Sequence, residues 1–442
     1  MALLDQIKSA GIIGAGGAGF PTHAKLTSKA DYMLMNGAEC EPLLRVDQQL
    51  MAMYPEEIIK GFEMAARLVE AKQAIIGIKG KHGKVIEILR NTIEKLGLSD
   101  YVSVGILPDI YPAGDEQVLV YELTGRIVPE TGIPIMCGCV VINTETALNI
   151  YKASKDQPVT ETYVTLAGDI PRRVTLKVPV GTPVLEVLRK SGIEDFSGYG
   201  IVDGGPMMGP LLADINGNVL KKNKGYVILK KSHPLIAKKE VTAPQAKRVN
   251  HATCEQCRMC TDLCPRALIG HGTSPHKAMR FMLYGGDDME GKTLGQLCCQ
   301  CNLCEYFSCP VNLKPKMANM ALKDETMKAG VRFQREEGKE YKADKNRASR
   351  LVPSHRLIAR LGLSRFDAPA PMTDETVEPS EVRIMLSQHV GAPAQPVVQV
   401  GDQVTVGQMI GKIPEDALGA AVHASINGQV VEVTDKYIAI RR

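Results

Sequence analysis

Residues Gly11–Leu26 read GIIGAGGAGFPTHAKL, and the anion this loop is shaped to hold decides which fold surrounds it. Gly14, Gly16 and Gly19 satisfy G-x-G-x-x-G, Gly17 adds a further glycine, and Lys25 follows. Glycine-rich backbone curves its N–H groups around an anion, Thr22 offers a hydroxyl, and a helix starting near Pro21 would add its positive end. A nicotinamide dinucleotide, a nucleoside triphosphate and a flavin mononucleotide would each fit. A dinucleotide fingerprint should follow a strand and open a helix, yet only a helix-like segment, Leu3–Ala10, and GII precede Gly14. The acidic residue expected about 20 positions on is met by Glu39 after YMLMN. The loop itself lacks the Gly-Lys-Ser/Thr triplet of a Walker site.

Outward from the loop, strand and helix patterns alternate. Tyr32–Asn36, Ala74–Ile78, Tyr101–Leu107 and Cys139–Asn143 are short apolar runs. Pro55–Ala71 reads as a helix: Pro55 suits the first position, Glu56 and Glu57 suit the positive pole, and Ile58, Ile59, Phe62, Ala66 and Val69 recur at helical spacing. Gly83–Leu96 repeats that pattern. The alternation predicts an α/β layer with a largely parallel sheet. From about residue 158 the pattern becomes two β-rich segments around a turn and a short helix near Pro183, a small α+β module. Lys221–Arg248 carries nine basic residues against one acidic, which reads as a linker or exposed strap. Pro353–Ser380 reads as a second linker, and the last 60 residues as a small β barrel or sandwich.

At 442 residues, 44% hydrophobic and 23% charged, the chain is a multidomain globular protein. A net charge of +4, 5% aromatics and no tryptophan argue against nucleic-acid binding. No apolar run reaches the ~20 residues of a membrane helix. The N-terminus MALLDQIKSAGII lacks a basic region followed by a long apolar stretch, so a cytoplasmic location is expected.

Nine of the 12 cysteines lie between Cys254 and Cys309, and such clustering without an export signal points to metal. Cys254-x₂-Cys257-x₂-Cys260-x₃-Cys264-Pro265 is the bacterial ferredoxin run, whose fourth cysteine reaches the other cluster when two are present. Cys298-x₂-Cys301-x₂-Cys304-x₄-Cys309-Pro310 repeats it with one extra residue, and Cys299 leaves the first ligand of that run open between Cys298 and Cys299. Two [4Fe–4S] clusters are expected, with Cys254, Cys257 and Cys260 joined by Cys309, and Cys298, Cys301 and Cys304 by Cys264. Zinc also favours C-x₂-C pairs but has no use for the whole run written twice. Cys137 and Cys139, beside an apolar strand, read as small hydrophobes. His23 reads as a packing residue.

GAGGAGFPTHAKL, NGAECEP (36–42), YPAGDEQVLVYELTGR (111–126) and VVINTETA (140–147) resemble the flavin domain of the NADH-oxidising subunit of respiratory complex I, and more closely the RnfC-like proteins. The resemblance implies that Gly14, Gly16, Gly17, Gly19 and Lys25 hold FMN, and that Asn36, Gly114, Glu116, Asn143 and Thr144 contact it. Glu39 and Glu41 match acidic positions where flavin meets nicotinamide, which makes NADH the expected substrate. Ala38 stands where the complex I protein has an aspartate.

The likeness extends along the chain. Its order implies a Rossmann-like flavin domain (1–155), a β-grasp SLBB module (156–232), a helical two-[4Fe–4S] ferredoxin-like module with a basic linker (233–350) and a C-terminal barrel-sandwich domain (376–442). RnfC proper begins with the barrel-sandwich domain, whereas here it comes last. That rearrangement resembles the PduS-type cobalamin reductases of bacterial propanediol-utilising microcompartments. It implies electron transfer from NAD(P)H to cobalamin, with an adenosyltransferase, a diol dehydratase system or a shell protein as partners, and homo-oligomers among the assemblies to test. A non-catalytic electron relay in an RnfC-like complex is the alternative.

Overall fold

The computed structural model describes residues 2–251 and 254–442. The first unit is built from α1 (Leu3–Ser9), α2 (Thr22–Lys25), β1 (Tyr32–Gly37), α3 (Val46–Met53), α4 (Pro55–Leu68), β2 (Gln73–Lys79), α5 (Gly83–Lys95), β3 (Val102–Leu107), β4 (Ile110–Tyr111), α6 (Glu116–Thr124), β5 (Cys139–Asn143) and α7 (Thr144–Ala153). Its main sheet runs β3-β2-β1-β5 with every neighbouring pair parallel. These strands read as continuous apolar runs because both faces are covered. Met33 and Met35 of β1 join the core formed with α1, α3, α4, α5 and α7, while Leu34 between them faces the core shared with α6. Helix α4 crosses α7 so closely that a Cβ on Gly61 would overlap the Ala147 carbonyl.

The next unit holds β6 (Glu161–Gly168), β7 (Val174–Pro179), α8 (Val184–Arg189), β8 (Tyr199–Asp203) and β9 (Gly225–Lys230). The cysteine module carries α9 (Pro234–Lys239), α10 (Ala243–Asn250), α11 (Met259–Asp262), α12 (Pro265–Leu268), α13 (Pro275–Tyr284), α14 (Met289–Lys292) and α15 (Pro315–Lys328). After it come α16 (Arg347–Arg350), β10 (Val352–Pro353), α17 (Ser354–Arg360) and β11 (Met372–Thr376). The C-terminal unit contains β12 (Glu381–Met385), β13 (Gln395–Pro396), β14 (Gln403–Val404), β15 (Met409–Lys412), β16 (Val422–His423), β17 (Gly428–Val433) and β18 (Tyr437–Arg441). Sheets β12-β18-β17-β14 and β13-β15-β16 enclose its apolar core. Among the described residues no helix is long and apolar enough to cross a membrane.

Two expectations are corrected. Pro353–Ser380 is more than a linker: β10 pairs with β4, and β11 extends the second unit's sheet to β11-β7-β6-β9-β8. Gln49 anchors that segment by donating to the Ala370 carbonyl at 2.9 Å and accepting from the Met372 N–H. Nor is Lys221–Arg248 an exposed strap, since it supplies β9, α9 and most of α10. Lys221 is 3% exposed, and its ammonium donates to the carbonyls of Gly11 at 2.8 Å and Ala421 at 2.7 Å. A buried ammonium is tolerated where such acceptors replace water, and these two tie the N-terminal loop to the last unit.

Candidate functional site

The sheet order reverses direction between β1 and β5, and in open parallel sheets ligands bind in the crevice beyond the strand ends at that point. The glycine loop lies there. Gly14 N–H donates to the Phe20 carbonyl at 2.9 Å, and Ala15 N–H to the Thr146 hydroxyl at 3.2 Å. Gly16 and Gly19 have φ of 101° and 72°, conformations that cost any residue with a Cβ. Open space surrounds the position where a Cβ on Gly17 would stand. No strand leads into the loop: Ile13 makes only an isolated bridge to Pro21.

The structure brings the sequence-predicted flavin residues together around this crevice. Lys25 Nζ donates to Glu116 at 2.9 Å and to the Val141 carbonyl at 2.8 Å. Asn36 donates to the Gly114 carbonyl at 2.9 Å, and the Thr144 hydroxyl to the Asn36 carbonyl at 3.4 Å. Asn143 Oδ1 stands 3.8 Å from where a Cβ on Gly14 would be. Helix α2 has only four residues, so the anion-facing helix end is that of ten-residue α7, whose N-terminus lacks a side-chain cap. The buried Thr22 hydroxyl has no partner. A lysine, glycine N–H groups, an uncapped helix end and an orphaned hydroxyl make a donor set that fits a flavin phosphate.

Glu39 and Glu41 are already engaged. Glu39 accepts from the Asp47 and Gln48 N–H groups at 2.7 and 3.3 Å, capping α3. Burial, and then the Asp47 carboxylate, push its pKa up to about 7. Glu41 accepts from the Met207 and Met208 N–H groups at 2.8 and 2.9 Å, and burial raises its pKa. Gly205 permits that contact, because a Cβ there would overlap the Glu41 carboxylate. Half-buried His23 has its pKa lowered by burial and by Lys8.

In the cysteine module the two runs share one backbone signature. Gln256 and Arg258 have φ of 52° and 66°, and Gln300 and Asn302 both have 62°. These left-handed positions fall two residues after Cys254 and Cys298 and one after Cys257 and Cys301, which aligns Cys298 with Cys254 and Cys299 with Glu255. Burial pushes Cys260 up to about 12, and the neighbouring thiols Cys254, Cys257 and Cys309 add to the rise. Burial raises Cys264 to about 12 as well, with Cys299 and Cys298 contributing. Cys309 is thus among the neighbours of Cys260, and Cys264 among those of Cys298 and Cys299.

Cys260, Cys264, Cys298, Cys299, Cys301 and Cys304 line one small cavity. The Cys254, Cys298 and Cys309 sulfurs accept from Gln256 Nε2, Gln300 N–H and Leu313 N–H at 3.2, 3.4 and 3.3 Å. Sulfurs already accepting N–H bonds, beside Cys260, Cys264 and Cys298 whose ionisation burial opposes, suit a metal cluster that supplies the positive charge. No group of three or more His, Cys, Asp or Glu side chains among the described residues closes tightly enough to hold a single ion.

The crevice and the second run are joined through Tyr111 and through residues, Arg266 and Asp115, whose role the sequence did not show. Arg266, next but one to Cys264, donates to Asp115 at 2.9 Å. The other oxygen of Asp115 accepts from the Gln117 and Val118 N–H groups and caps α6, whose first residue is Glu116. Tyr111 donates to the Cys301 carbonyl at 3.0 Å. Lys224 pairs with buried Glu145 at 2.5 Å, and its methylenes would stand 3.3 Å from a Cβ on Gly16. Tyr111, which the sequence reading sets with Glu116 as a flavin-site neighbour, and Asp115 lie within the quoted YPAGDEQ and Glu145 within VVINTETA, while Arg266 is signalled only by its place after Cys264-Pro265. A Walker-type spacing, Gly286 to Thr293, also escaped that reading. It follows helix α13 rather than a strand, and Lys292 is bonded to the Gly286 carbonyl and Glu325, so it forms no phosphate cradle. Cys139 is fully buried in the core beside α6.

Comparison with known proteins supplies three family matches: residues 7–152 with the Nuo51 FMN-binding domain, 253–314 with a 4Fe-4S dicluster domain, and 370–441 with the RnfC barrel sandwich hybrid domain. Cobalamin reductase PduS of Citrobacter freundii is 41% identical over 440 residues, covering 99% of this chain and 96% of the relative. That of Salmonella typhimurium is 40% identical over the same shares. A component of the Na(+)-translocating ferredoxin:NAD(+) oxidoreductase complex of Acetobacterium woodii is 32% identical over 60% of this chain and 58% of its own length. A solved NAD+-reducing [NiFe]-hydrogenase, in its H2-reduced state, matches with a TM-score of 0.50 and 19% identity over 75% of this chain and 62% of its own, a likeness of fold alone.

Proposed function

The chain belongs to the cobalamin reductase PduS family, and on that premise we propose the function its geometry supports best. It is an oxidoreductase that delivers electrons to cobalamin, taking them from NAD(P)H and carrying cob(III)alamin to cob(II)alamin and cob(I)alamin. When bound, the flavin and the iron–sulfur groups supply the conversion of a two-electron donor into one-electron deliveries. One NADH thus balances two molecules of cob(II)alamin, giving NAD⁺, a proton and two of cob(I)alamin.

The protein's own part is to hold and orient. Gly16, Gly17 and Gly19 offer backbone N–H groups and, with Gly14, close approach to the flavin phosphate; Lys25 neutralises it. Asn36, Gly114, Asn143 and Thr144 line the strand ends, and Glu116 holds Lys25. Glu39 and Glu41 support the crevice from behind, through α3 and the 207–208 turn. Two ligand sets are proposed: Cys254, Cys257, Cys260 and Cys309, and Cys298, Cys301, Cys304 and Cys264, with Cys299 outside both. The repeated left-handed positions and the neighbours of Cys260 and Cys264 support that pairing.

The observation that carries the reading is the bonded line from the crevice to the second run: Lys25 to Glu116, α6 capped by Asp115, and Asp115 to Arg266 beside Cys264. It sets both prospective redox groups in one rigid frame. We further assign the Rossmann-like label to 1–155, the SLBB label to 156–232, the ferredoxin-like module to 233–350 and the barrel-sandwich domain to 376–442. A microcompartment location, and an adenosyltransferase, a diol dehydratase system or a shell protein as partners, complete the proposal. The test is anaerobic mixing of reconstituted protein with NADH while flavin and cluster absorbances are followed. Bleaching is expected; reduction by a partner protein but not by NADH would replace the reductase with a relay.

A further inference from the structure

Thr273, in HGTSP (271–275), and Lys316, in KPKM (314–317), lie outside both cysteine runs. The fold nevertheless brings both to the wall of the cavity lined by Cys264, Cys298, Cys301 and Cys304. We propose that the Thr273 hydroxyl and the Lys316 ammonium donate to the sulfurs of the cluster held there and raise its reduction potential. The inference rests on the ligand sets proposed above.

Thr273 is 2% exposed, and its hydroxyl has no hydrogen-bond partner. A buried hydroxyl left unpaired is costly, so this position calls for an acceptor that the folded chain does not bring to it. Elsewhere on the wall, Pro265, Pro275 and Leu303 carry no polar side chain. Asn302 turns its amide nitrogen to the Met207 carbonyl at 2.6 Å, and its own Oδ1 is unpaired too, so the two side chains do not satisfy each other. The cavity's other side-chain acceptors are sulfurs.

Lys316 stands in the first turn of 14-residue α15, at the positive pole of the helix, where a cation is disfavoured. No acid stands in that turn, and the helix's two carboxylates are engaged further along, Asp324 with Lys328 at 2.7 Å and Glu325 with Lys292 at 2.6 Å. Glu305 accepts the Met317 N–H at 2.7 Å, and among the described residues Lys316 forms no ion pair. A half-buried ammonium set against the dipole without a carboxylate suits another anion, and thiolates around a cluster are one.

The first run is furnished differently. Gln256 Nε2 already donates to Cys254 at 3.2 Å, the Thr261 hydroxyl is bonded to His276 Nδ1 at 2.7 Å, and Arg258, its side chain 61% exposed, faces Asp262 at 4.0 Å. The unpaired donors therefore belong to the second run, the one that Tyr111 and Arg266 join to the crevice. Hydrogen bonds to cluster sulfurs and positive charge beside them favour the reduced, more negative form, so Thr273 and Lys316 make the cluster on the crevice side easier to reduce.

The experiment is a potentiometric titration of the full, reconstituted chain followed by electron paramagnetic resonance, with iron counted in each sample. The second cluster is the signal that Cys301→Ser abolishes. Thr273→Val keeps the side chain's size without its hydroxyl, and Lys316→Met removes the charge. Each should lower the midpoint of that signal and leave the other signal and the iron content unmoved. Lys316→Met should have the larger effect, about tenfold in the ratio of reduced to oxidised cluster at a fixed potential, ~59 mV for one electron. Thr273→Ser and Lys316→Arg should restore the wild-type midpoint. An unmoved midpoint in either removing variant, an equal shift of both signals, or a conservative variant that shifts as far as its partner would overturn the proposal. Iron lost from Thr273→Val but kept by Thr273→Ser would support the hydroxyl's role, whereas iron lost from both would mark a packing position and overturn it. Failure of the ligand sets is seen separately, as Cys264→Ser and Cys301→Ser abolishing different signals.

Discussion

Replacing Asp115 separates two interactions that the structure stacks on one side chain. One oxygen accepts the Gln117 and Val118 N–H groups at 3.2 and 3.1 Å, and the other accepts Arg266 at 2.9 Å. The paired side chains are only 13% and 12% exposed. Losing an N-cap costs about 1 kcal/mol. Breaking a buried pair so that one charge stays behind costs ~3–5 kcal/mol, which the residual exposure trims to about 2–4 kcal/mol. Asp115→Asn keeps the cap and loses the charge, so it should cost about 2–4 kcal/mol, and Asp115→Ala about 1 kcal/mol more. Adding Arg266→Met to Asp115→Asn should recover most of the loss, because neither charge is then left buried. Urea unfolding of the cofactor-free chains, followed by far-ultraviolet circular dichroism, reads these differences. The reasoning fails if Asp115→Asn is as stable as wild type, or if the double variant is no better than the worse single one.

The pairing of cysteines across the two runs predicts that Cys309→Ser and Cys257→Ser abolish the same electron paramagnetic signal, and that Cys264→Ser and Cys301→Ser abolish the other; Cys299→Ser should keep all its iron. The opposite grouping would break the assignment. Glu39 sets a pH dependence. Its pKa is raised in the fold to about 7 from an ordinary 4.5, so between those values the folded chain holds a proton that the unfolded chain has lost. Its contribution is thus complete below pH 4.5 and lost as pH rises through 7. Glu39→Gln should flatten the decline in urea midpoint between pH 5.5 and 8, and an equal decline in both proteins would contradict it.

Much of this was legible because it is local. Tyr32–Asn36 and Cys139–Asn143 announce parallel strands by being apolar on both faces, and the cysteine spacings carry their own geometry. What was hidden depends on partners far away in the chain. Lys221 and Lys224 looked like part of a solvated strap, since nothing near them in sequence shows the carbonyls of Gly11 and Ala421 or the Glu145 carboxylate that take their charges inside. Met372–Thr376 looked like a linker because its acidic, proline-flanked sequence gives no strand signal; β7 supplies the edge it pairs with. Arg266 and Asp115 lie 151 residues apart, beyond any spacing rule.

The central claim is that the glycine-loop crevice holds the flavin through which NADH reduces cobalamin. The direct measurement is anaerobic formation of cob(I)alamin from cob(II)alamin and NADH, with flavin and iron counted in the same samples, for wild type and Lys25→Ala. Wild type should form cob(I)alamin, while Lys25→Ala should keep its iron but lose both flavin and the NADH-driven reaction. Cob(I)alamin at the wild-type rate from flavin-free Lys25→Ala, or none from fully loaded wild type, would contradict the account.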